Sequence, residues 1–262
     1  MASGGTPGEP GTIERAVQLL KLLATAGKRG RALTQLAEAT ALPHSTVHRL
    51  LRRLIRERLV TQKESDKWYA LGPLAFELGL AATASYDLRE HCRASLDRLA
   101  EEVGDTIYLS VRSGSEAVCE ARHEGPSPIR VNTLSIGSRR PLGLGAGGLA
   151  ILSYLPDAER EDIIATDGQR ICEEGRFSEQ DLRAAIEACR RLGHSLIRNR
   201  VTLGVTAAGV PIRDTLGRPI AAISVAAIDD RMREDRVAML ARKLHEHARE
   251  IEASLRGRAG GN

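Results

Sequence analysis

Aromatic residues are scarce in this 262-residue chain: one Trp, two Phe and four Tyr, 3% in all. Its cores must therefore be built from Leu, Ile, Val and Ala. Cysteine is sparse and scattered, and Cys92, Cys119, Cys172 and Cys189 form no C-x-x-C pair. That spacing argues against a structural zinc or thioredoxin-like site and suits reduced thiols in a cytosolic protein. No apolar run approaches the roughly 20 residues that a bilayer helix needs. Residues 1–11 lack the basic-then-apolar order of a secretory signal and read as a disordered arm. Catalytic patterns are missing too. There is no Gly-x-Ser-x-Gly elbow and no His-x-x-x-His pair, and His245 and His247 stand two apart on a helix, pointing in different directions. The expectation is a cytoplasmic protein with no catalytic residues, no metal, no cofactor and no membrane partner.

What is present is an uneven charge. Residues 1–71 hold twelve Lys/Arg against six Asp/Glu, whereas the remainder holds 26 against 28. A basic head on a slightly acidic body points to a polyanion partner for the head. The length allows two domains, and 42% hydrophobic with 27% charged residues is ordinary for a globular chain.

The head reads as three helices and a hairpin. Thr12 can cap a helix with Ile13, Ala16, Val17, Leu19, Leu20, Leu23 and Ala24 at helical spacing, ending at Gly27. After the basic loop 28–31, Thr34 opens a short helix that the turn Ala41-Leu42-Pro43 stops. The third helix begins at His44. At 100° per residue Val47, Leu50, Leu51 and Leu54 share one face, while Ser45, Arg49, Arg52 and Arg56 lie opposite, flanked by Thr46, Arg53 and His48. Hydroxyls in a first turn with arginines one turn on suit a helix entering a major groove. Residues 59–71 then read as two short strands around a polar turn, a β-wing carrying Lys63, Lys67 and Tyr69. The predicted contacts to double-stranded DNA are Thr34, His44, Ser45, Thr46, His48, Arg49, Arg52, Arg53, Lys63, Lys67 and Tyr69.

The body mixes helices and strands without the βαβ alternation of a parallel sheet. Helices are expected over 72–85, over 88–103, from the capped Ser178-Glu-Gln-Asp181 to Leu192, and across Val237, Leu240, Leu244, Ala248 and Ile251 to Leu255. Strands are expected at 106–112, 117–122 and 129–134, with a hairpin of 204–212 and 219–228.

One motif competes with this picture. Gly143-x-Gly145-x-x-Gly148 has the spacing of a dinucleotide-binding loop, and Asp167 follows nineteen residues later. An enzyme using a nucleotide cofactor at this loop is the alternative reading. Its context fails: Arg139-Arg140-Pro141 is poor strand material, Pro156 breaks the following helix, and Asp167 would end a helix, not a second strand.

Taken together, Thr12-Ile-Glu-Arg-Ala-Val-Gln-Leu-Leu20, Leu42-Pro-His-Ser-Thr-Val-His-Arg-Leu-Leu51, Tyr69-Ala-Leu-Gly72, Arg140-Pro-Leu142 and Ala222-Ile-Ser-Val225 make the chain resemble an IclR-type transcriptional regulator from residue 12 to about 250. The resemblance implies an α+β protein. Its parts would be a winged helix-turn-helix (12–72), a linker helix (73–86) and a GAF-like α/β effector-binding domain (87–257). It implies a homodimer or homotetramer that controls a catabolic or metabolic operon in response to a small organic effector, often a carboxylate or an aromatic. The implied pocket residues are Ile129, Asn132, Arg140, Gly145, Ala146, Gly147, Ile197, Ala207, Ser224 and Ala226. Where many members carry acids this chain has Arg198 and Arg200, and the members' common Gly-Lys pair is Gly148-Leu149. Arg140, helped by Arg198 or Arg200, is expected to favour a carboxylate.

Overall fold

A computed structural model of the protein describes residues 11–26, 29–86 and 88–259. The chain divides into two compact units, residues 1–87 and 88–262. Residues 1–10 of the expected 1–11 arm and the expected helix end at Gly27 lie outside the described residues.

In the first unit, α1 (Thr12–Ala24), α2 (Leu33–Thr40) and α3 (His44–Arg56) pack around Leu19, Leu23, Leu36, Val47 and Leu51. Each such buried side chain contributes about 1.5–3 kcal/mol, so the helical spacing read from the sequence is what closes this core. Thr12 does not form the expected cap, and Thr34 lies inside the first turn of α2 instead of opening it. Thr12 is the first residue of α1 behind Gly11, and α2 starts from Ala32, whose N–H is held by Gln35 Oε1 at 3.0 Å. Ala41 takes the left-handed conformation at the α2–α3 turn and Pro43 precedes the first turn of α3. The wing follows as antiparallel β1 (Val60–Gln62) and β2 (Tyr69–Leu71), then α4 (Pro73–Tyr86). Arg31 adds a rung to the wing through paired backbone bonds with Tyr69, 2.9 and 2.8 Å long.

The second unit is built on an antiparallel sheet. Its strands are β3 (Thr106–Ser113), β4 (Glu116–His123), β5 (Arg139–Pro141), β6 (Ser195–Arg198), β7 (Val205–Arg213) and β8 (Pro219–Ile228). Their order among the described residues is β5-β4-β3-β8-β7-β6. The period-2 alternation of a strand sorts the residues by face. Leu109, Val210, Ile223 and Val225 meet α5 (Leu88–Val103) and α9 (Glu234–Ala259), packed among Leu96, Leu99, Leu240 and Leu244. The opposite face carries α6 (Ala146–Ser153), α7 (Asp157–Gly175) and α8 (Glu179–Leu192), with Leu149, Ile151, Ile171 and Ile186 in its core. The carboxylate of Asp105, with its side chain 1% exposed, ties the start of β3 to Arg236 (2.7 Å) and Arg231 (3.1 Å) beside the start of α9.

Three expectations fail here. Residues 129–134 form no strand but an irregular segment, with Tyr108 Oη donating to Val131 O at 2.6 Å in place of a ladder. Arg139–Pro141, set aside as poor strand material, is edge strand β5, paired to β4 at Pro141↔Glu116. At an edge the missing proline N–H costs no ladder bond. Strand β6 was not expected at all.

Candidate effector pocket and DNA interface

Between the inner face of the sheet and the start of α6 lies a cavity of about 50 Å³. Alternation delivers its floor: Tyr108 and Ser110 from β3, Ala117 and Cys119 from β4, Ala207 from β7, Ser224 and Ala226 from β8. Gly145, Ala146, Gly147 and Gly148 form one wall, and Ile197 with Val201 and Thr202 another. Thr133, Leu134 and Ser138 rim it beside Arg140.

The geometry explains the glycines. Gly145 precedes α6 at φ 79°, a left-handed conformation that side chains rarely adopt, and no side chain caps the helix. The first-turn N–H groups of a helix have no intrahelical partner and carry its positive dipole end. A Cβ on Gly147 would stand 3.0 Å from Ser110 Oγ and 3.2 Å from its Cβ, so with any side chain there α6 or β3 must give by a few tenths of an ångström. The Ser110 and Ser224 hydroxyls have no hydrogen-bond partner among the described residues, although the two residues are only 4% and 6% exposed. Both line the cavity.

Arg140 supplies the charge. Its guanidinium donates to Thr133 O at 2.9 Å, and a Cβ on Gly145 would lie 3.6 Å from its Nη1. Burial holds its pKa below the usual arginine value, against upward pulls from Glu174, Tyr108 and Cys119. The Cys119 thiol is pushed up to about 11, chiefly by burial, with Arg122 and Arg140 pulling it down. A thiol with that pKa is no nucleophile at neutral pH. The cavity thus offers one cation, a helix N-terminus, free hydroxyls and apolar walls. That is the chemistry of anion binding.

Of the residues expected around the pocket, Arg140, Gly145, Ala146, Gly147, Ile197, Ala207, Ser224 and Ala226 line this cavity. Ile129 and Asn132 do not; Ile129 is exposed on the irregular segment. Arg198 and Arg200 lie outside it as well. Arg198 donates to Met232 O (2.8 Å) and Arg200 to Arg176 O (2.7 Å), both bordering a separate groove with Phe177 and Asp181. Tyr108, Ser110 and Cys119 were missed, yet Tyr108 and Ser110 alternate with the core residues Ile107, Leu109 and Val111. That alternation could have found them.

The dinucleotide geometry is absent. The strand entering the glycines is a three-residue antiparallel edge strand, α6 lasts eight residues, and Asp167 sits in the middle of α7. Among the described residues no group of three or more His, Cys, Asp or Glu could hold a metal ion, and no helix is long and apolar enough to cross a membrane.

In the first unit, a broad concave surface lies between α3 and β1, lined by His48, Arg49, Arg52, Arg53, Arg56, Thr61 and Gln62. His44 and Ser45 are exposed at the start of α3 beside half-buried Thr46, and no side chain caps that helix, so its N–H groups face outward too. Thr34 and Lys67 are exposed and Lys63 is half-buried. Tyr69 is a correction: β2 turns its ring into the core, leaving it 4% exposed, and burial raises its pKa against the pull of Arg52.

Two family models match the chain: the IclR helix-turn-helix domain over residues 12–64 and the bacterial transcriptional regulator IclR C-terminal domain over 80–253. The chain belongs to the IclR family. As a member it is a DNA-binding transcriptional regulator with an effector-binding C-terminal domain. It is 28% identical to the HTH-type transcriptional regulator KipR of Bacillus subtilis over 93% of this chain and 96% of that one. It is also 28% identical to the transcriptional repressor AllR of Escherichia coli, over 93% and 89% respectively. Among solved structures, an IclR homologue from Microbacterium hydrocarbonoxydans complexed with 4-hydroxybenzoate superposes with a TM-score of 0.71 at 22% identity, covering 94% of this chain and all of that one.

Proposed function

We propose that the cavity at the start of α6 is this regulator's effector site and that it takes a short aliphatic carboxylate. The observation that carries this is the Arg140 guanidinium beside Gly145 at the uncapped N-terminus of α6, opposite two unpartnered hydroxyls. A carboxylate there gains charge-assisted bonds from Arg140 and the helix N–H groups. Size selects the rest of the molecule. A cavity of about 150 Å³ is known to admit benzene, and this one holds about 50 Å³. An aromatic acid therefore requires the 131–138 or 199–204 segment to move. Isothermal calorimetry with a graded series of aliphatic and aromatic acids tests this. Tightest binding by neutral ligands, or by aromatic acids, overturns it.

The protein acts in the cytoplasm on double-stranded operator DNA of a catabolic or metabolic operon, as a sensor and not as an enzyme. In this reading His44, Ser45, Thr46, Arg49, Arg52 and Arg53 of α3 meet the major groove, while Thr34, Lys63 and Lys67 meet the phosphates. Replacing Arg49 with Ala is expected to cost about 1–3 kcal/mol of operator affinity and leave the fold intact. The head exposes Ile13 and Val17 on α1 and Phe76 and Leu78 on α4, which a second copy would cover in a homodimer. The effector then favours one spacing of the paired heads, with a coupling of about 1–3 kcal/mol. Sedimentation of Phe76→Asp is expected to show dissociation; an unchanged dimer would place the interface elsewhere.

A further inference from the structure

Trp68, the single tryptophan of the chain, stands half-buried in the wing, and the guanidinium of Arg29 lies over its ring with Cζ 4.7 Å from the centroid. The backbone beneath Arg29 is pinned to the same hairpin. Lys63 Nζ donates to Arg29 O at 3.0 Å, and Arg31 exchanges two backbone bonds with Tyr69. Gly30 makes the approach possible: at φ 81° it passes so close to the wing that a Cβ would stand 2.4 Å from Tyr69 O. The segment 29–31 is thus built into the wing, although it precedes it by some thirty residues.

This changes where the wing carries positive charge. Its tip mixes charges, with Glu64, Asp66 and Lys67 all exposed, and Asp66 Oδ1 accepts from the backbone N–H of Trp68 at 3.0 Å. The two carboxylates repel the phosphate backbone, which leaves Lys67 as the tip's own cation toward it. Beside the tip, at the rung where the Lys63 backbone N–H donates to Trp68 O, two further cations gather, with Arg29 exposed above the ring and Lys63 next to it. An arginine stacked on an aromatic face keeps its edge N–H groups free for bidentate contact with a phosphate. Stacking also removes part of the rotamer entropy that a mobile arginine loses on binding.

We propose that Arg29, held over Trp68 beside the wing tip, is a DNA phosphate contact flanking the half-site that α3 reads. It deepens the placement of α3 at the DNA and rests on it.

The test uses the full-length chain and a short duplex selected from a random-sequence pool by the wild-type protein, with an unselected duplex of equal length beside it. Arg29→Ala is expected to weaken both duplexes alike and to lower the slope of log K against log salt by about 0.9, one phosphate's worth. Arg29→Gln, which keeps a planar group over the ring without the charge, is expected to lose the same slope, and Arg29→Lys to retain it. Trp68 emission, the sole tryptophan signal, is expected to change when the selected duplex is added. An unchanged slope and affinity in Arg29→Ala overturns the proposal, as does full recovery of the slope by Arg29→Gln, which marks a packing role alone. Arg49→Ala on the same duplex then shows separately whether the α3 interface stands.

Discussion

Replacing Arg140 with Met separates binding from stability. In the folded chain the guanidinium is partly desolvated and makes one hydrogen bond, to Thr133 O at 2.9 Å. Losing a bond from a charged donor costs about 1.5–3 kcal/mol. Against that, the charge no longer has to be taken out of water, a penalty of several kcal/mol for a buried ion, and Met fills similar volume with an apolar chain. The two nearly offset, so stability is expected to change by no more than about 1 kcal/mol in either direction. For a unit of this size that is about 2–4 °C in Tm. Binding has no such compensation. A carboxylate in the cavity loses its only charged partner there, about 1.5–3 kcal/mol and thus roughly a 10- to 150-fold rise in Kd. Calorimetry gives the second quantity and differential scanning calorimetry the first. The reasoning is refuted if Tm falls by more than about 10 °C while carboxylate affinity is retained. Arg140 would then be a strut for the 131–133 segment and not a ligand contact.

Gly147→Ala places a methyl 3.0 Å from Ser110 Oγ and 3.7 Å from Ser224 Oγ; effector binding is expected to fall at least tenfold by calorimetry, with part of it restored when Ser110 is also made Gly. Asp105→Asn leaves Arg231 and Arg236 facing no carboxylate at a site where the Asp105 side chain is 1% exposed. Breaking such a pair costs about 3 kcal/mol or more, read as a drop of roughly 10 °C in Tm, and a wild-type melt would show the pair to be idle. Burial pushes the Cys92 thiol up to about 12 and the Cys119 thiol to about 11. Raised folded pKa values stabilise fully below the ordinary thiol pKa of about 8.5 and lose that stabilisation as pH climbs through it. Thermal stability is therefore expected to decline from about pH 8.5 toward 12, more gently in Cys92→Ala; equal slopes in both proteins would count against it.

The legible parts of the chain were those where a single local rule decided the outcome. In α3 the arc of Val47, Leu50, Leu51 and Leu54 left one face for the core, and the arginines had nowhere to go but out. The capping box of Ser178 and Asp181 fixed the start of α8, with reciprocal bonds of 3.1 and 3.0 Å. Failures came where a distant partner outweighed local preference. Val131 and the residues around it have strand composition, but Tyr108 Oη and Arg140 take their carbonyls, so no ladder forms. Arg139-Arg140-Pro141 looks unfit for a strand, yet β4 supplies a free edge and Glu116 pairs with Arg139 at 2.8 Å. Ser195–Arg198 is hidden because it is a four-residue strand, paired among the described residues with β7 alone, and too short for alternation to reveal.

The same contrast governs the pocket. Arg198 and Arg200 carry as much charge as Arg140, and one or the other is expected from the sequence to help it favour a carboxylate. Strand alternation decides otherwise. In β6, Ile197 is the residue turned to the cavity, so Arg198 faces away from it, and Arg200 follows the left-handed Asn199 toward Phe177. Arg140 has the opposite circumstance. In the middle of edge strand β5 and paired with Ala117, it shares that residue's cavity face and reaches the gap beside Gly145 at the bare α6 terminus. The four glycines of 143–148 spell a nucleotide loop, but a pyrophosphate needs a parallel strand to aim that loop, and here an antiparallel edge aims it at a cavity too small for one. The chemistry of the helix terminus is retained, and under the proposed reading its cargo shrinks to a single carboxylate.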